Sequence, residues 1–300
     1  SIISCNMLGG KIVSPIKGLI TFFADTKTIS GAMEQIGSIW NANPERAGAG
    51  SQHIITGKYD LRDVGVKFGE HDALTKVNLT VPARGKVAIV GPSASGKSTL
   101  LRLLQGLLKP NDGVLEVDGN NLASLDLGHY RSQVALVDLQ PTFFAGTIEQ
   151  NLRRVRPNIS IREFDEALEI SGLASLSKDL ADGSSTDIDQ TASNLSQSHK
   201  ITVALARAIA TDPNLILLDE TFNTLDKQTQ VLLKGKIDQI AAGRTLIATI
   251  HDFRWLGKFD WIIVLEKGSV VDEGTHDDLI KNCTLYQEMW ELEKQIAEDV

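Results

Sequence analysis

The sequence GPSASGKS at residues 91–98 follows an apolar run at residues 87–90 and precedes a helix-like run at residues 99–104. A strand, a glycine-rich loop and a helix in this order form the context that a phosphate-binding loop requires. The glycines let backbone N–H groups surround phosphate oxygens, and the helix start adds the positive end of its dipole. The pattern therefore predicts an α/β fold that binds a nucleoside triphosphate. The alternative is a glycine-rich turn without a ligand, and the flanking patterns disfavour it.

This loop contains most of the candidate ligand-binding residues. Lys97 is predicted to reach the outer phosphates, and the hydroxyl of Ser98 is predicted to bind Mg²⁺. The other nucleotide-binding candidates in the stretch are Gly91, Ser93, Ser95, Gly96 and Thr99.

Two adjacent acids, Asp219 and Glu220, follow a second apolar run at residues 215–218. A strand ending there would bring both acids to the carboxyl edge of the sheet, where ligands of open α/β folds bind. Asp219 is predicted to hold Mg²⁺, directly or through water, and Glu220 to orient or deprotonate the attacking water. An acidic loop after a core strand is the alternative, and the nearby phosphate loop makes it the weaker one.

His251 follows the apolar run at residues 245–250 and reaches the same edge if that run is a strand. It could then contact the γ-phosphate and the attacking water. A lone histidine is more often structural, so its assignment as a catalytic residue depends on the motifs around it.

Patterning along the chain predicts a helical arm, a linker and one large domain. Apolar residues keep helical spacing from Ser14-Pro15 to Asn41, with a break expected near Gly31. No uncharged run in residues 1–23 reaches the ~18 residues of a complete membrane span, so we do not expect a whole transmembrane helix there. We expect these residues to be the end of a longer segment. Residues 44–54 are predicted to be a linker, and residues 55–300 an α/β domain.

Within that domain, short apolar runs are typical of strands buried on both faces of a parallel sheet. These runs lie at residues 86–90, 134–137, 215–218 and 245–250. Residues 261–266 and 269–272 flank Lys267-Gly268 and predict a hairpin, and residues 275–297 predict a closing helix.

The overall charge excludes one class of partner. The net charge of −8 gives no basic surface for nucleic acid. Cys5 and Cys283 lie far apart and show neither a disulfide framework nor metal-ligand spacing, which indicates a reducing compartment.

Taken together, the motifs resemble the nucleotide-binding domain of ABC transporters over residues 55–300. They occur in the family's order: the phosphate loop, Leu195-Ser196, residues 203–208, Leu218-Asp219-Glu220, Leu225-Asp226 and His251. The resemblance implies an ABC-type P-loop ATPase core with an antiparallel β portion and a helical subdomain at about residues 141–200. It also implies ATP and Mg²⁺ as cofactors, with Phe68 stacking on adenine, Ser196 in the signature and Asp226 communicating across a dimer.

The exporter branch of the family is indicated by residues 143–148 with Asn151. Residues 7–15 are similar to the end of the last membrane helix in type I protein-secretion exporters, so residues 1–43 would be the end of a transmembrane domain and a helical arm. This likeness implies export of a polypeptide, with the ATPase at the cytoplasmic face of the membrane. The expected partners are an ABC transmembrane domain and a second nucleotide-binding domain, in a homodimer or a heterodimer.

Two motifs depart from the family pattern. The signature Leu-Ser-Gly-Gly-Gln reads Leu195-Ser196-Gln197-Ser198-His199, and the added side chains are expected to obstruct close backbone approach and slow hydrolysis in a homodimer. Leu139 stands where the family has the glutamine that senses Mg²⁺, and Gln140 is one residue late. The alternative function is therefore a weakly hydrolysing, regulatory half of a heterodimeric exporter.

Overall fold

A computed structural model describes residues 2–41, 50–180, 182–189 and 191–298, and the chain divides into two units, residues 1–46 and 47–300. The first unit contains one helix, α1 (Ile2–Trp40). The predicted start at Ser14-Pro15 and the break near Gly31 are wrong, because α1 continues through both. An interior proline removes one hydrogen bond and crowds the preceding turn, at a cost of about 3 kcal/mol, and an internal glycine costs about 1 kcal/mol. The helix α1 includes both residues despite these costs.

Among the described residues, no helix combines the length and the hydropathy needed to cross a membrane. The predicted linker at residues 44–54 lies partly outside the described residues, which resume at Gly50.

The second unit contains the strands. In chain order they are β1 (Tyr59–Phe68), β2 (His71–Val81), β3 (Lys86–Val90), β4 (Asp112–Val117), β5 (Asn120–Asn121), β6 (Val134–Val137), β7 (Gly146–Thr147), β8 (Asp187–Ile188), β9 (Leu215–Leu218), β10 (Thr245–Thr249), β11 (Trp261–Glu266) and β12 (Ser269–Gly274).

Helices follow or separate these strands. They are α2 (Lys97–Leu104), α3 (Leu127–Arg131), α4 (Ile148–Val155), α5 (Ile161–Ile170), α6 (Leu173–Leu176), α7 (Gln197–Ala210), α8 (Lys227–Ile240), α9 (His276–Asn282) and α10 (Thr284–Glu298). Short 3₁₀ helices lie at Leu122–Ser124, Ser177–Asp179, Gly183–Ser185 and Phe253–Lys258.

A six-stranded sheet in the order β12-β11-β3-β10-β9-β6 forms the centre of this unit. All neighbouring strands in it are parallel except the β11–β12 hairpin, which is antiparallel. The carboxyl ends of β3, β6, β9 and β10 therefore meet at one edge. The predicted strands and hairpin are present, and the sheet brings the phosphate loop, the acid pair and His251 to that edge.

Both faces of the central sheet are buried, which explains its continuous apolar runs. On β3, Val87 and Ile89 pack in a core shared with α2 and the antiparallel sheet β2-β1-β4-β5. Ala88 and Val90 pack on the other face, in a core that includes residues of α5, α7 and α8. The alternation of side chains along one strand thus joins an antiparallel β layer and a helical layer.

The helical part lies between β6 and β9. It consists of α4 to α7 and the small β7–β8 pair, close to the predicted residues 141–200. The closing helix predicted at residues 275–297 is instead two helices, because α9 ends at Asn282 and Cys283 adopts an extended conformation before α10 begins.

Packing of the central sheet predicts a strong stability effect at β10. Ile247 is fully buried, so we expect Ile247→Ala to lower the free energy of unfolding by about 3 kcal/mol through lost burial and a cavity. Ile161→Ala is the matched control, since Ile161 is 75% exposed and its truncation should change stability by about 0.5 kcal/mol or less. Urea unfolding measures both, and equal effects would contradict this description of the core.

Candidate active site

Two glycines of the phosphate loop are required by backbone geometry. Gly91 has a φ of 154°, and a Cβ there would lie 2.0 Å from the carbonyl oxygen of Leu265 on β11. Gly96 has a φ of 100°, and a Cβ there would lie 2.7 Å from the carbonyl oxygen of Ala73. Any larger residue would push the loop away from the strands on which it rests.

Gly96 also places the start of α2 at the loop. It is the N-cap of α2 and has no side chain, so no side-chain cap bonds the first-turn N–H groups. Free N–H groups and the positive helix end form a ready site for phosphate oxygens.

The loop borders a cavity of about 430 Å³. Its lining includes six of the predicted nucleotide-binding residues, namely Phe68, Ser95, Gly96, Lys97, Ser98 and Thr99. Gly91 and Ser93 are not in the lining: Gly91 is buried beneath the loop, and Ser93 is exposed on its outer side. The structure therefore brings together most, but not all, of the residues predicted for nucleotide binding.

Lys97 is held in this loop by the loop's own carbonyl groups. Its Nζ donates to the carbonyl oxygens of Gly91 at 2.9 Å and Pro92 at 2.8 Å. An ammonium has three N–H donors, so one is left for a ligand. Burial lowers the pKa of Lys97, and the carboxylates of Glu220 and Asp219 oppose that shift.

Asp219 links the phosphate loop to two central strands. Its Oδ1 accepts hydrogen bonds from Ser98 Oγ at 3.0 Å and from Thr249 Oγ1 at 3.1 Å. Burial raises the pKa of Asp219, and these two hydrogen bonds oppose the rise.

The pair of Ser98 and Asp219 fits Mg²⁺. Both groups are oxygen donors, and adjacent ligands of an octahedral Mg²⁺ at ~2.1 Å stand about 3 Å apart, like these two atoms. The described residues contain no cluster of three or more His, Cys, Asp or Glu side chains suited to a metal ion. One or two protein oxygens are typical of Mg²⁺ that takes its remaining ligands from phosphates and water.

His251 and Glu220 form the second half of the site. His251 Nε2 lies 3.0 Å from Glu220 Oε1, and because an ionised carboxylate only accepts, Nε2 is the donor. His251 thus bonds to Oε1 of Glu220 and not to its second carboxylate oxygen. Glu220 also lines the nucleotide cavity.

Thr249 is a functional residue that the sequence reasoning missed. Its hydroxyl accepts from the backbone N–H of Glu220 at 2.6 Å and donates to Asp219 Oδ1. Glu220 itself has a φ of 50°, a conformation that side chains rarely adopt. Thr249 thus positions both acids. Its place at the end of β10, two residues before His251, was the available signal.

Ser196 of the signature and the dimer-communication candidate Asp226 lie away from this cavity in their own chain. Ser196 is the N-cap of α7, and its hydroxyl accepts from the backbone N–H of His199 at 3.2 Å. Asp226 is the N-cap of α8 and accepts from the backbone N–H of Thr229 at 2.8 Å. Neither residue is in the cavity lining.

The side chains that replace the signature glycines contact other loops of the same chain. Ser198 is buried and its hydroxyl donates to Asp226, while Gln197 Nε2 donates to the carbonyl oxygen of Leu139 at 2.7 Å. The obstruction of a partner by these two side chains stays a prediction.

The structure also describes Leu139 and Gln140, where the family has its Mg²⁺-sensing glutamine. Leu139 is partly buried, Gln140 is exposed, and neither is in the nucleotide cavity lining. Gln140 as a replacement for the family's Mg²⁺-sensing glutamine stays a prediction.

Comparisons with known proteins identify the family of this chain. Residues 74–223 match the family model described as ABC transporter. The chain is 31% identical over 282 residues to the ABC transporter ATP-binding protein YfiC of Bacillus subtilis, covering 92% of this chain and 46% of that protein. It is 30% identical over 285 residues to the exotoxin translocation ATP-binding protein PaxB of Pasteurella aerogenes, covering 94% of this chain and 40% of that protein.

A solved structure shows the same fold. It is that of a bacterial Atm1-family ABC exporter with ATP bound, and it matches with a TM-score of 0.81 at 27% identity, covering 87% of this chain and 47% of that one. The ABC-type fold and the family inferred from the motifs are confirmed. The chain spans less than half the length of these relatives.

Lys97 generates the first prediction for the site. We expect Lys97→Ala to weaken Mg-ATP binding at least tenfold, because it removes a buried cation from the phosphate loop. Lys109→Ala is the control, since Lys109 is exposed in the segment after α2. Titration calorimetry measures both, and unchanged affinity in Lys97→Ala would refute the assignment of this loop.

Proposed function

This chain belongs to the ABC transporter family, and we propose that it binds and hydrolyses ATP to power the export of a polypeptide across a membrane. One observation supports the ATPase assignment most directly. Lys97, Ser98, Asp219 and Glu220 lie close together at one phosphate loop. Two separate segments of the sequence, the phosphate loop and the acid pair after β9, contribute the phosphate-binding, metal-binding and base functions there.

Each residue has a task that its contacts support. The N–H groups at the start of α2 and the third N–H of Lys97 bind the phosphates, and Phe68 stacks on the base. Ser98 and Asp219 hold Mg²⁺, which neutralises phosphate charge when bound. Glu220 accepts a proton from the attacking water, and His251 orients Glu220 through the Nε2 to Oε1 hydrogen bond.

A polypeptide as the exported substrate is supported by two likenesses. The name of PaxB describes exotoxin translocation, and this chain matches it over 94% of its own length. Residues 7–15 are similar to the end of the last membrane helix of type I protein-secretion exporters. Both likenesses support the same class of cargo.

The proposed partners follow from the exporter likeness. We infer a transmembrane domain, of which residues 1–43 are the end, and a second nucleotide-binding domain that meets this one through Ser196 and Asp226. The ATPase then works at the cytoplasmic face of the membrane. The Atm1-family exporter supports this inference, because more than half of its chain lies outside the part matched here.

The second candidate is a regulatory half that hydrolyses ATP weakly beside a fully active partner. It is favoured by the loss of both signature glycines, at Gln197 and Ser198. The inward hydrogen bonds of these two side chains argue against it. The ATP turnover of the purified homodimer distinguishes the two, since a regulatory half alone should be nearly inactive.

Glu220 offers the most direct test of hydrolysis. We expect Glu220→Gln to retain Mg-ATP affinity within about twofold and to lose turnover by about 10²- to 10⁴-fold, because the amide keeps the shape but cannot accept the proton. Glu166→Gln on the exposed side of α5 is the matched control and should behave like the unaltered protein. Turnover that survives in Glu220→Gln would assign the base to another residue.

The cargo is tested in the native cell. Introducing Glu220→Gln on the chromosome should remove one or more polypeptides from the culture medium, whereas Glu166→Gln should not. Quantitative proteomics of the medium measures this. An unchanged set of secreted polypeptides, with accumulation of a small lipophilic compound inside the cell, would refute polypeptide export and leave the ATPase assignment intact.

A further inference from the structure

The two residues that replace the signature glycines both join α7 to loops at the active edge of the sheet. Ser198 contacts Asp226, at the end of the segment that begins with Asp219 and Glu220. Gln197 contacts the carbonyl oxygen of Leu139, in the loop after β6. Glycine has no side chain and could make neither contact.

The contact between Ser198 and Asp226 is reciprocal. The Ser198 hydroxyl donates to Asp226 Oδ2, and it accepts from the backbone N–H of Asp226 at 3.2 Å. The same carboxylate caps α8 by accepting from Thr229 N at 2.8 Å and Thr229 Oγ1 at 2.8 Å. These bonds, that from Ser198 first, lower the pKa of Asp226 to about 2. Asp226 is therefore a charged anchor shared by α7 and α8.

The segment from Asp219 to Asp226 is fixed at both ends. At its start, the backbone N–H of Asp219 donates to the carbonyl oxygen of Val137 at 2.9 Å, and Thr221 Oγ1 donates to the same oxygen at 3.1 Å. In its middle, the ring of Phe222 stacks on that of Trp255 with centroids 4.0 Å apart. Ser198 fixes the far end of the same segment through Asp226.

Gln197 contacts the second loop, which follows β6. Its bond of 2.7 Å holds the loop after β6, and β6 is also the strand whose Val137 carbonyl anchors Asp219 and Thr221. The first residues of α7 thus hold the loops that follow two neighbouring strands, β6 and β9.

We propose that Ser198 and Gln197 are positioning residues that fasten the start of α7 to these two loops and so hold Glu220 in place for hydrolysis. This role rests on the ATPase function proposed above. In this role, the residues of the altered signature position loops of their own subunit. Both side chains bond to loops of their own chain, Gln197 to the loop after β6 and Ser198 to Asp226.

Ser198→Ala tests this role, because it removes the hydroxyl and keeps the Cβ. We expect kcat to fall about tenfold while the KM for ATP changes less than twofold. Thr202→Val is the matched control on the same helix: Thr202 is also buried, but its hydroxyl bonds only to carbonyl oxygens of its own helix, at Ser198 and His199. Thr202→Val should leave kcat within twofold. An unchanged kcat in Ser198→Ala would overturn the proposal.

The double-glycine variant gives the sharpest contrast. Gln197→Gly with Ser198→Gly restores both glycines of the family's signature, with His199 still in place of its glutamine. A rise in turnover is expected from this variant if the two side chains obstruct a partner. Positioning predicts a fall at least as large as in Ser198→Ala. A rise in the turnover of the assembled transporter would overturn the proposal.

Two further measurements separate positioning from general destabilisation. In an Asp226→Asn background, which keeps a residue able to cap α8, Ser198→Ala should lower kcat by less than twofold because the shared contact is already weakened. Hydrogen exchange should accelerate in peptides covering residues 219–226 of Ser198→Ala and not in those covering residues 245–250. Additive losses of kcat, or equal exchange in both regions, would overturn the proposal.

Hydrogen exchange also keeps the test independent of the proposed function. If the unaltered transporter showed no ATP turnover, the ATPase assignment would fail. The exchange rates at residues 219–226 would then still decide whether Ser198 holds this segment.

Discussion

The hydrogen bonds that the Asp219 carboxylate accepts are the interaction on which the rest of the site depends. One of its oxygens accepts hydrogen bonds from Ser98 at the start of α2 and from Thr249 at the end of β10. Asp219 itself is the first residue after β9. Three segments that are far apart in sequence are thereby joined within one hydrogen-bonded unit. The parallel order of β3, β10 and β9 makes this possible, because it brings their carboxyl ends to the same edge.

The same arrangement concentrates charge where water is largely excluded. Burial lowers the pKa of Lys97 and raises that of Asp219, so it disfavours the ionised form of each. The carboxylates of Glu220 and Asp219 oppose the shift at Lys97, and two hydrogen bonds oppose the shift at Asp219. Fixed, partly desolvated groups of this kind stabilise developing charge without having to reorganise during the reaction. Thr249 and His251 fix Glu220 in a similar way. Thr249 accepts a hydrogen bond from the backbone N–H of Glu220, and His251 donates one to its carboxylate.

Local patterns in the sequence were sufficient for the central sheet and most of the nucleotide site. Continuous apolar runs marked strands such as Lys86–Val90 and Leu215–Leu218, and the glycine-rich loop marked the start of α2. The start of α1 was mispredicted because Pro15 usually begins a helix, although its φ also fits inside one. Thr249 and the pair of Ser198 with Asp226 were missed because their contacts join residues about 30 positions apart. The place of Thr249 two residues before His251 was the local signal, and the contact of Ser198 with Asp226 had none.

The most direct test of the central claim is the structure of the Glu220→Gln transporter with bound Mg-ATP, determined by cryo-electron microscopy. We predict phosphates enclosed by the loop at residues 91–98, Mg²⁺ held by Ser98 and Asp219, and Thr249 still bonded to Asp219. Phosphates outside this loop, or Mg²⁺ held by residues other than Ser98 and Asp219, would contradict the account.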